Sequence, residues 1–285
     1  MTDYLIYDVF TDRRFGGNPL AVFPDATGLA EDDLQSIARE FNLSETTFVY
    51  PAQTAGCDRM VRIFTPTMEI PFAGHPTIGT AIALNHLGLV GEVMTLELGV
   101  GPIPVAIDGK RARFTTRVPL STWDGPAPDL IAKSVGLPAD AIRTDRHSPR
   151  IAGVGLPFAL VELTDVAALT AAAPATDIFR RIDANWPGNG HYDLLAYVRD
   201  GEQIEARMFA PLDGIPEDPA TGSAAAALAA FLGKLDGRSQ AFRISQGVAM
   251  GRPSLIDAEV TVENGAPVEV AIAGQAVRVM EGRLS

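Results

Sequence analysis

Hydrophobic and polar positions alternate along most of the chain in short stretches, and a few segments show helical spacing instead. Residues 31–41 place Leu34, Ile37, Ala38 and Phe41 on one face, which predicts an amphipathic helix. Shorter helices are predicted at 129–135 and 176–183. Strands are predicted at 5–10, 20–23, 47–50, 60–64, 93–98, 103–107, 113–118, 151–163, 194–199, 204–209, 258–262, 268–272 and 276–280. This mixture of strands and helices predicts an α/β (α+β) protein.

Two further helices are predicted from small apolar residues. They run from Pro76 to about residue 87, where Gly88 follows, and from Pro219 to about residue 232, where Gly233 follows. Proline at the first helical position and glycine just past the end are the expected signals. The alanine-rich stretch 224–230 is apolar on nearly every side, so the second helix is expected to be buried.

The segments around these two helices resemble each other. An offset of 145 aligns Arg-x-Phe-x-Pro at 62–66 with the same pattern at 207–211. A deletion of two residues then gives an offset of 143, which aligns His75 with Asp218, Gly79 with Gly222 and Thr80 with Ser223. Upstream, NPLAVF at 18–23 has a looser partner in LPFALV at 156–161. Chance similarity of two apolar helices is the alternative, but the recurring frames favour a duplicated α/β unit.

The length of 285 residues exceeds one typical hydrophobic core and predicts two domains. We expect the first to span residues 1–118 and the second residues 119–275. The last strand, within 276–285, is expected to return to the first domain. The proline-rich segment 123–128 is the best candidate for a linker.

Composition narrows the possible partners. A formal net charge of −12 disfavours nucleic acids and anionic membrane surfaces, which attract clustered Lys and Arg. No apolar run approaches a membrane span, and the N-terminal residues do not resemble a signal peptide, so we expect a cytoplasmic protein without a membrane partner.

The single cysteine, Cys57, excludes an internal disulfide. The histidines lack metal-ligand spacing, and nucleotide-binding and serine-hydrolase motifs are absent, so no metal and no cofactor are expected.

The starts of the two small-residue helices are candidate sites for a carboxylate, because N–H groups and the helix dipole favour anions there. His75 and Asp218 each precede a proline at these starts, and Ser223 lies just beyond the second. Asp218 as a simple helix cap is an equal alternative. Glu45 lies between a helix and a strand, where a glutamate is usually exposed. At offset 145 its equivalent is Gly190, so only one half is expected to carry this carboxylate.

Four strings in order along the chain carry a resemblance to a known family: GGNPLAVF (16–23), NLSETTF (42–48), FAGHPTIGTA (72–81) and EDPATGSAA (217–225). Together they resemble the PhzF family of phenazine-biosynthesis isomerases. The resemblance implies a diaminopimelate epimerase-like fold, in which two pseudo-symmetric domains each wrap mixed strands around a central helix and a cleft lies between them. It also implies a homodimer. The cysteine pair of the epimerases is absent.

The resemblance also implies roles for particular residues. Glu45 matches a glutamate that removes a proton from one ring carbon of a dihydro-hydroxyanthranilate and returns it to another. His75 and Asp218 match residues that bind the substrate and assist this transfer. The positions that match the neighbourhood of the bound carboxylate are Asn18, Gly74, Gly222 and Ser223.

The chemistry supports a cofactor-independent isomerase acting on a small, carboxylate-bearing metabolite, for which a cyclic compound is one candidate. Burial raises the pKa of a carboxyl group towards the range in which it can take a proton from carbon. The helix starts and a protonated His75 or Asp218 are candidates to stabilise the developing negative charge. An amino-acid racemase or epimerase using Glu45 with His75 or Asp218 is one alternative. A non-catalytic metabolite-binding protein is the other.

Overall fold

In the computed structural model, which describes residues 1–187 and 190–285, the chain divides into two compact units. The first contains residues 1–115 and 272–285, and the second contains residues 116–271. The last strand, Ala266–Leu284, therefore contributes to both units. No helix in the described parts of the chain is long and apolar enough to cross a membrane.

Strands and helices are numbered separately along the chain. The strands are β1 (Thr2–Val9), β2 (Asn18–Phe23), β3 (Glu45–Pro51), β4 (Arg59–Phe64), β5 (Glu69–Ile70), β6 (Val93–Leu98), β7 (Gly101–Asp108), β8 (Arg111–Thr116), β9 (Ser121–Asp124), β10 (Arg150–Gly153), β11 (Pro157–Glu162), β12 (Leu194–Asp200), β13 (Gln203–Ala210), β14 (Ile215–Asp218), β15 (Gln240–Gln246), β16 (Ser254–Glu263) and β17 (Ala266–Leu284). The helices are α1 (Leu34–Phe41), α2 (Gly74–His86), α3 (Pro128–Ser134), α4 (Val166–Ala171), α5 (Thr176–Asp183) and α6 (Gly222–Asp236). Short 3-10 turns cover Glu31–Asp33, Ala139–Ala141 and Pro211–Asp213.

The first unit wraps its strands around α2. Strand β2 pairs antiparallel with β1 and parallel with β3, and β4 pairs antiparallel with β3 and parallel with β6. Every residue of α2 from Gly74 to Leu84 is buried. Gly79 allows close packing, because a Cβ atom there would lie 2.6 Å from side-chain atoms of both Val9 and Leu20. The helix is thus the centre of this unit's core.

The second unit repeats the same pairing order. Strand β11 pairs antiparallel with β10 and parallel with β12, and β13 pairs antiparallel with β12 and parallel with β15. Its central helix α6 is buried from Ala224 to Gly233. The predicted architecture of two pseudo-symmetric α/β units, each with a buried central helix, is confirmed.

Strand register corrects the alignment of the two copies. Phe64 pairs with Thr46, and Phe209 pairs with Leu194. Ile63 pairs with Ile70, whereas Met208, its counterpart at offset 145, pairs with Asp218. Asp218 is therefore the counterpart of Ile70 and not of His75. The offset of 145 holds in β4 and β13, but it becomes 148 in the following segment rather than 143.

The corrected offset of 148 aligns the starts of the two central helices. Gly74 and Gly222 each begin the helix, and His75 corresponds to Ser223. The prediction that a proline opens each helix is wrong: Pro76 is the third residue of α2, and Pro219 lies before α6. Asp218 is the last residue of β14. It therefore does not cap α6 in the way considered from the sequence, as the residue just before a proline that opens the helix.

The same register places a carboxylate in both units. Because Thr46 corresponds to Leu194, Glu45 corresponds to Asp193. The prediction that Glu45 has only Gly190 as its counterpart is wrong. The reason is that the stretch from Thr46 to its partner Phe64 is three residues longer than the stretch from Leu194 to its partner Phe209, so a single offset cannot hold on both sides.

Two other sequence predictions also change. The proposed linker 123–128 is structured at both ends, since β9 pairs with β10 and Pro128 begins α3. Helix α6 continues through Gly233, against which Val260 packs, and ends at Asp236, after which Gly237 has a φ of 67°. A positive φ is easily adopted by glycine, which explains why the helix ends there.

Candidate active site

Glu45 is the first residue of β3 and pairs with Leu20 of the parallel strand β2. Its side chain is 15% exposed. The expectation of an exposed loop glutamate is therefore wrong. The burial arises because β3 lies between β2 and β4 and because α2 packs against β2 and β3.

His75 lies in the first turn of α2 and is 3% exposed. Its Nε2 atom is 3.4 Å from Oε2 of Glu45. The structure thus brings together two of the residues that the sequence identified, although 30 positions separate them. A carboxylate and an imidazole at this distance can exchange a proton directly or share one with a bound molecule.

The other ring nitrogen of His75 faces Asn18. The amide Nδ2 of Asn18 lies 3.4 Å from Nδ1, and the hydroxyl group of Ser44 donates to Oδ1 of the same amide at 3.3 Å. Since an amide nitrogen only donates, Nδ1 accepts and the ring proton is on Nε2. Ser44 and Asn18 therefore orient the imidazole so that its N–H group is on the side of Glu45. Asn18 was predicted from the sequence, but Ser44 was not, because it carried no signal beyond its place beside Glu45.

Burial lowers the pKa of His75 to about 3. The imidazole is therefore neutral at neutral pH, in contrast to the protonated His75 considered from the sequence. A buried cation is disfavoured because it would lose the solvation that water provides. A neutral Nε2–H group still donates a hydrogen bond, so His75 can stabilise developing negative charge without carrying a charge itself.

The low pKa of His75 predicts a loss of stability in mild acid. Unfolding exposes the imidazole, whose pKa then returns to about 6.5, so below that pH the unfolded state binds a proton that the folded state does not. Stability is therefore retained above pH 6.5 and lost as the pH falls towards 3. We expect His75 to account for a loss of about 2 kcal/mol between pH 7 and pH 5, measured by urea unfolding.

The control is His75→Asn, which removes the titrating group and keeps a polar side chain. Its absolute stability is expected to be lower, but its change in unfolding free energy between pH 7 and pH 5 should be smaller than that of the wild type by about 2 kcal/mol. Equal changes in both proteins would show that His75 is not buried as a neutral group.

The first turn of α2 supplies further polar groups. The backbone N–H groups of Gly74 and His75 have no partner within the helix, as is general for a first helical turn. Thr80 is fully buried, and its hydroxyl group lies 2.9 Å from the hydroxyl group of Thr47. Thr80 therefore joins α2 to β3.

In the second unit, Asp218 is 6% exposed and lies close to the start of α6. The hydroxyl group of Thr221, the residue before α6, donates to Oδ2 of Asp218. Gln246 of β15 donates through Nε2 to the backbone carbonyl of Asp218 at 2.8 Å and to the Thr221 hydroxyl at 3.0 Å. Its Oε1 accepts from the backbone N–H of Thr221 at 3.3 Å. Gln246 thus holds the segment that carries Asp218.

Gln246 was missed from the sequence because β15 was not predicted, although QAFRISQ alternates between buried and exposed positions. Gly222 is buried as the first residue of α6, and Ser223 is half-buried beside it. The predicted site residues of the second unit are therefore grouped around one helix start, as Gly74 and His75 are in the first unit. Within residues 1–187 and 190–285, no three His, Cys, Asp or Glu side chains are grouped to hold a metal ion.

Comparison with known proteins agrees with this architecture. The family described as "Phenazine biosynthesis-like protein" matches residues 7–282. An uncharacterized isomerase of Mesorhizobium japonicum is 37% identical, with 99% of this chain and 98% of the relative covered. A trans-2,3-dihydro-3-hydroxyanthranilate isomerase of Pseudomonas aeruginosa is also 37% identical, with 99% of each chain covered.

The fold is that of a solved relative. The crystal structure of a phenazine biosynthesis protein of the PhzF family from Bacillus anthracis superimposes with a TM-score of 0.88 at 24% sequence identity, and the match covers 100% of this chain and 99% of the other. The diaminopimelate epimerase-like fold class expected from the sequence is confirmed. With full-length relatives named as isomerases and a family match over nearly the whole chain, this chain belongs to the phenazine biosynthesis-like (PhzF) family and is an isomerase.

Proposed function

We propose that this isomerase moves a proton between two carbon atoms of a small, ring-containing carboxylate of the trans-2,3-dihydro-3-hydroxyanthranilate class, with Glu45 as the acid and base. The substrate class follows from the name of the relative that is 37% identical over the full length. The observation that supports Glu45 is its contact with His75: two titratable groups, largely removed from water, lie 3.4 Å apart at the start of a buried helix.

In this proposal Glu45 removes a proton from one ring carbon and returns a proton to another, so the product has the same composition as the substrate. The electron pair left on the ring spreads towards the substrate's polar groups. Nε2–H of His75 donates to the developing negative charge, and the N–H groups of the first turn of α2 favour it through the helix dipole. The reaction needs no cofactor, because the carboxyl group that takes the proton is regenerated when it returns the proton.

We further propose that the remaining candidates bind the substrate and its carboxylate. These are Asn18 and Gly74 in the first unit and Asp218, Gly222 and Ser223 in the second. Asn18 acts partly through His75, whose ring it orients. Ser223 and Gly222 lie at a helix start, where an anion is favoured. The homodimer expected from the family resemblance stays a prediction.

An amino-acid racemase is the second candidate, because a carboxylate beside an imidazole can also remove a proton from the α-carbon of an amino acid. The two-thiol chemistry of the diaminopimelate epimerases is excluded, since Cys57 is the only cysteine in the chain. The non-catalytic alternative is set aside, because the chain is an isomerase. Stereochemistry distinguishes the remaining two: a racemase inverts a centre, whereas the proposed reaction moves a double bond.

The test is proton NMR of the purified protein in deuterated water with trans-2,3-dihydro-3-hydroxyanthranilate and, separately, with a panel of L-amino acids. We expect conversion of the dihydro compound to an isomer, with deuterium at the newly protonated carbon wherever the proton on Glu45 exchanges with solvent. Conversion of an amino acid to its mirror image, without turnover of the dihydro compound, would overturn the proposal in favour of the racemase.

A further inference from the structure

The second unit contains a half-buried aspartate with one buried carboxyl oxygen, and the proposed mechanism does not use it. Asp193 immediately precedes β12, and its Oδ1 atom is buried without a hydrogen-bond partner among the described residues. A buried polar atom without a partner costs free energy, so its retention in a core calls for a functional explanation. By strand register, Asp193 is the counterpart of Glu45.

Asp193 and Asp218 lie on the same face of the sheet. Met208 pairs with Leu195 on one side and with Asp218 on the other, and residues paired across strands share a face. Asp193 lies two positions before Leu195 and so shares that face as well. This is the face on which Asp218 accepts a hydrogen bond from Thr221 at the start of α6.

The surroundings of Asp193 are strongly acidic. Burial raises its pKa well above the ordinary value, and the carboxyl groups of Asp213, Asp218 and Asp183 raise it further. The pKa of Asp213 is also raised, chiefly by burial and then by Asp183, although His191 opposes the shift. Asp183 itself accepts from the ring of His191 at 3.1 Å and from the backbone N–H of Tyr192 at 2.7 Å. Burial and three neighbouring carboxyl groups thus all disfavour the ionised form of Asp193.

We propose that Asp193 is held as a neutral carboxylic acid, and that its neutrality keeps the start of α6 receptive to an anionic substrate. An ionised Asp193 would add a negative charge on the sheet face that also carries Asp218, whose segment leads to the helix start where the substrate's carboxylate is expected to bind. A negative charge near an anion site repels the anion and weakens its binding. Asp193 is thus a positioning residue that acts through the electrostatic potential around Asp218 and Ser223.

The two central helices differ in a way that fits this role. In the first unit, Glu45 faces the neutral imidazole of His75. In the second, the counterpart of His75 is Ser223, and the β14 position equivalent to Ile70 is Asp218. The duplication therefore retains a carboxyl group at one position in both units while changing what surrounds it. Different surroundings for equivalent carboxyl groups are a common way to assign them different protonation states.

The first experiment measures the protonation state directly and needs no substrate. We expect the infrared spectrum of the wild type at pH 7 to contain the carbonyl band of a carboxylic acid, and Asp193→Asn to lack it. Asp213→Asn is the matched control from the same acidic group, and it should retain the band. A band that survives in Asp193→Asn, or that disappears in Asp213→Asn instead, would overturn the proposal.

The second experiment measures affinity for an anion at pH 7, with 3-hydroxyanthranilate as the probe, by calorimetry. Because an asparagine is as neutral as a protonated aspartate, Asp193→Asn should bind the probe within about twofold of the wild type. If Asp193 were ionised, the substitution would remove a negative charge and tighten binding by clearly more than twofold, which would overturn the proposal. This role rests on the anionic substrate of the proposed function, whereas the infrared result does not. A retained acid band with no turnover of the dihydro compound would therefore count against the function alone.

Discussion

Glu45→Gln is expected to lower kcat by about 10³-fold, the range over which a positioned acid or base contributes to proton transfer. Glutamine has nearly the same shape as glutamate and still accepts a hydrogen bond through its amide oxygen, but it cannot take a proton from carbon. Binding should therefore change much less than turnover. The measurement is the rate of loss of trans-2,3-dihydro-3-hydroxyanthranilate at saturating substrate, together with calorimetric binding of 3-hydroxyanthranilate.

The matched control is Glu40→Gln on the exposed face of α1, which makes the same chemical change outside the site and should leave kcat unchanged. A kcat within tenfold of the wild type for Glu45→Gln would contradict the assignment of Glu45 as the base. Loss of probe binding in the same variant would show instead that Glu45 holds the substrate.

The contact between Glu45 and His75 explains why this effect should be large. The imidazole is neutral, so it does not compensate for the carboxylate by taking up the proton itself. Asn18 and Ser44 fix the ring so that its N–H group is on the side of Glu45. An N–H donor stabilises the negative charge that develops when a neighbouring group removes a proton. We therefore assign the donor role to His75 and the role of base to Glu45.

The buried central helices were predictable because their signal is local. A run of alanines such as 224–230 is apolar on every side, so it has no face that suits water, and the structure buries it. The motif residues of the first unit were also found from the sequence, because the strings that contain Asn18, Glu45 and His75 are specific. Their mutual distances were not predictable, since each contact joins elements that are far apart in the chain.

The alignment of the two copies failed for a physical reason. Prolines at 71 and 76 can be matched with prolines at 216 and 219 in more than one way. The alignment by sequence identity placed a deletion in the second copy, whereas the structure has an insertion there. Hydrogen bonding between β13 and β14 decides the question, because it pairs Asp218 with Met208. This register is a property of the folded sheet. It is also what reveals Asp193 as the counterpart of Glu45.

Burial of Glu45 was missed for a related reason. Its neighbours Ser44, Thr46 and Thr47 are polar, and a polar stretch between a helix and a strand is typical of an exposed loop. In the structure Thr46 and Thr47 are fully buried, because this stretch begins a central strand rather than ending a loop. Tertiary packing thus overrides the local pattern at the position that carries the proposed chemistry.

The second large effect concerns stability and compares the two arginines that the repeat aligns. Arg207→Ala is expected to lower the free energy of unfolding by about 3–5 kcal/mol, because it breaks a largely buried ion pair and leaves the partner charge behind. Arg207 is 12% exposed and forms two hydrogen bonds with Glu217, at 2.8 and 2.7 Å. It also donates to the backbone carbonyls of Leu169, Thr170 and Ala172 near the end of α4.

Arg62→Ala is the matched control, since Arg62 occupies the same position in β4. It too binds its strand partner through two hydrogen bonds, to Glu69 at 2.7 Å each, and it reaches Glu31 at 2.6 Å. Both partners are more exposed than Glu217, at 43% and 70%, so water can replace the lost contacts. The expected loss is only about 1 kcal/mol.

Calorimetric unfolding of both variants and the wild type tests the comparison, with a midpoint expected to fall by roughly 10 °C for Arg207→Ala and by much less for Arg62→Ala. Arg207→Lys should recover only part of the loss, because an ammonium group cannot bind both oxygens of Glu217 and the three carbonyls at once. Equal losses at the two positions would mean that the exposure of the carboxylate partners does not determine how much unfolding free energy is lost. Glu217 directly precedes Asp218, and both belong to β14. A large effect at Arg207 would therefore also indicate that the ion pair holds β14, and with it Asp218, in place near the start of α6.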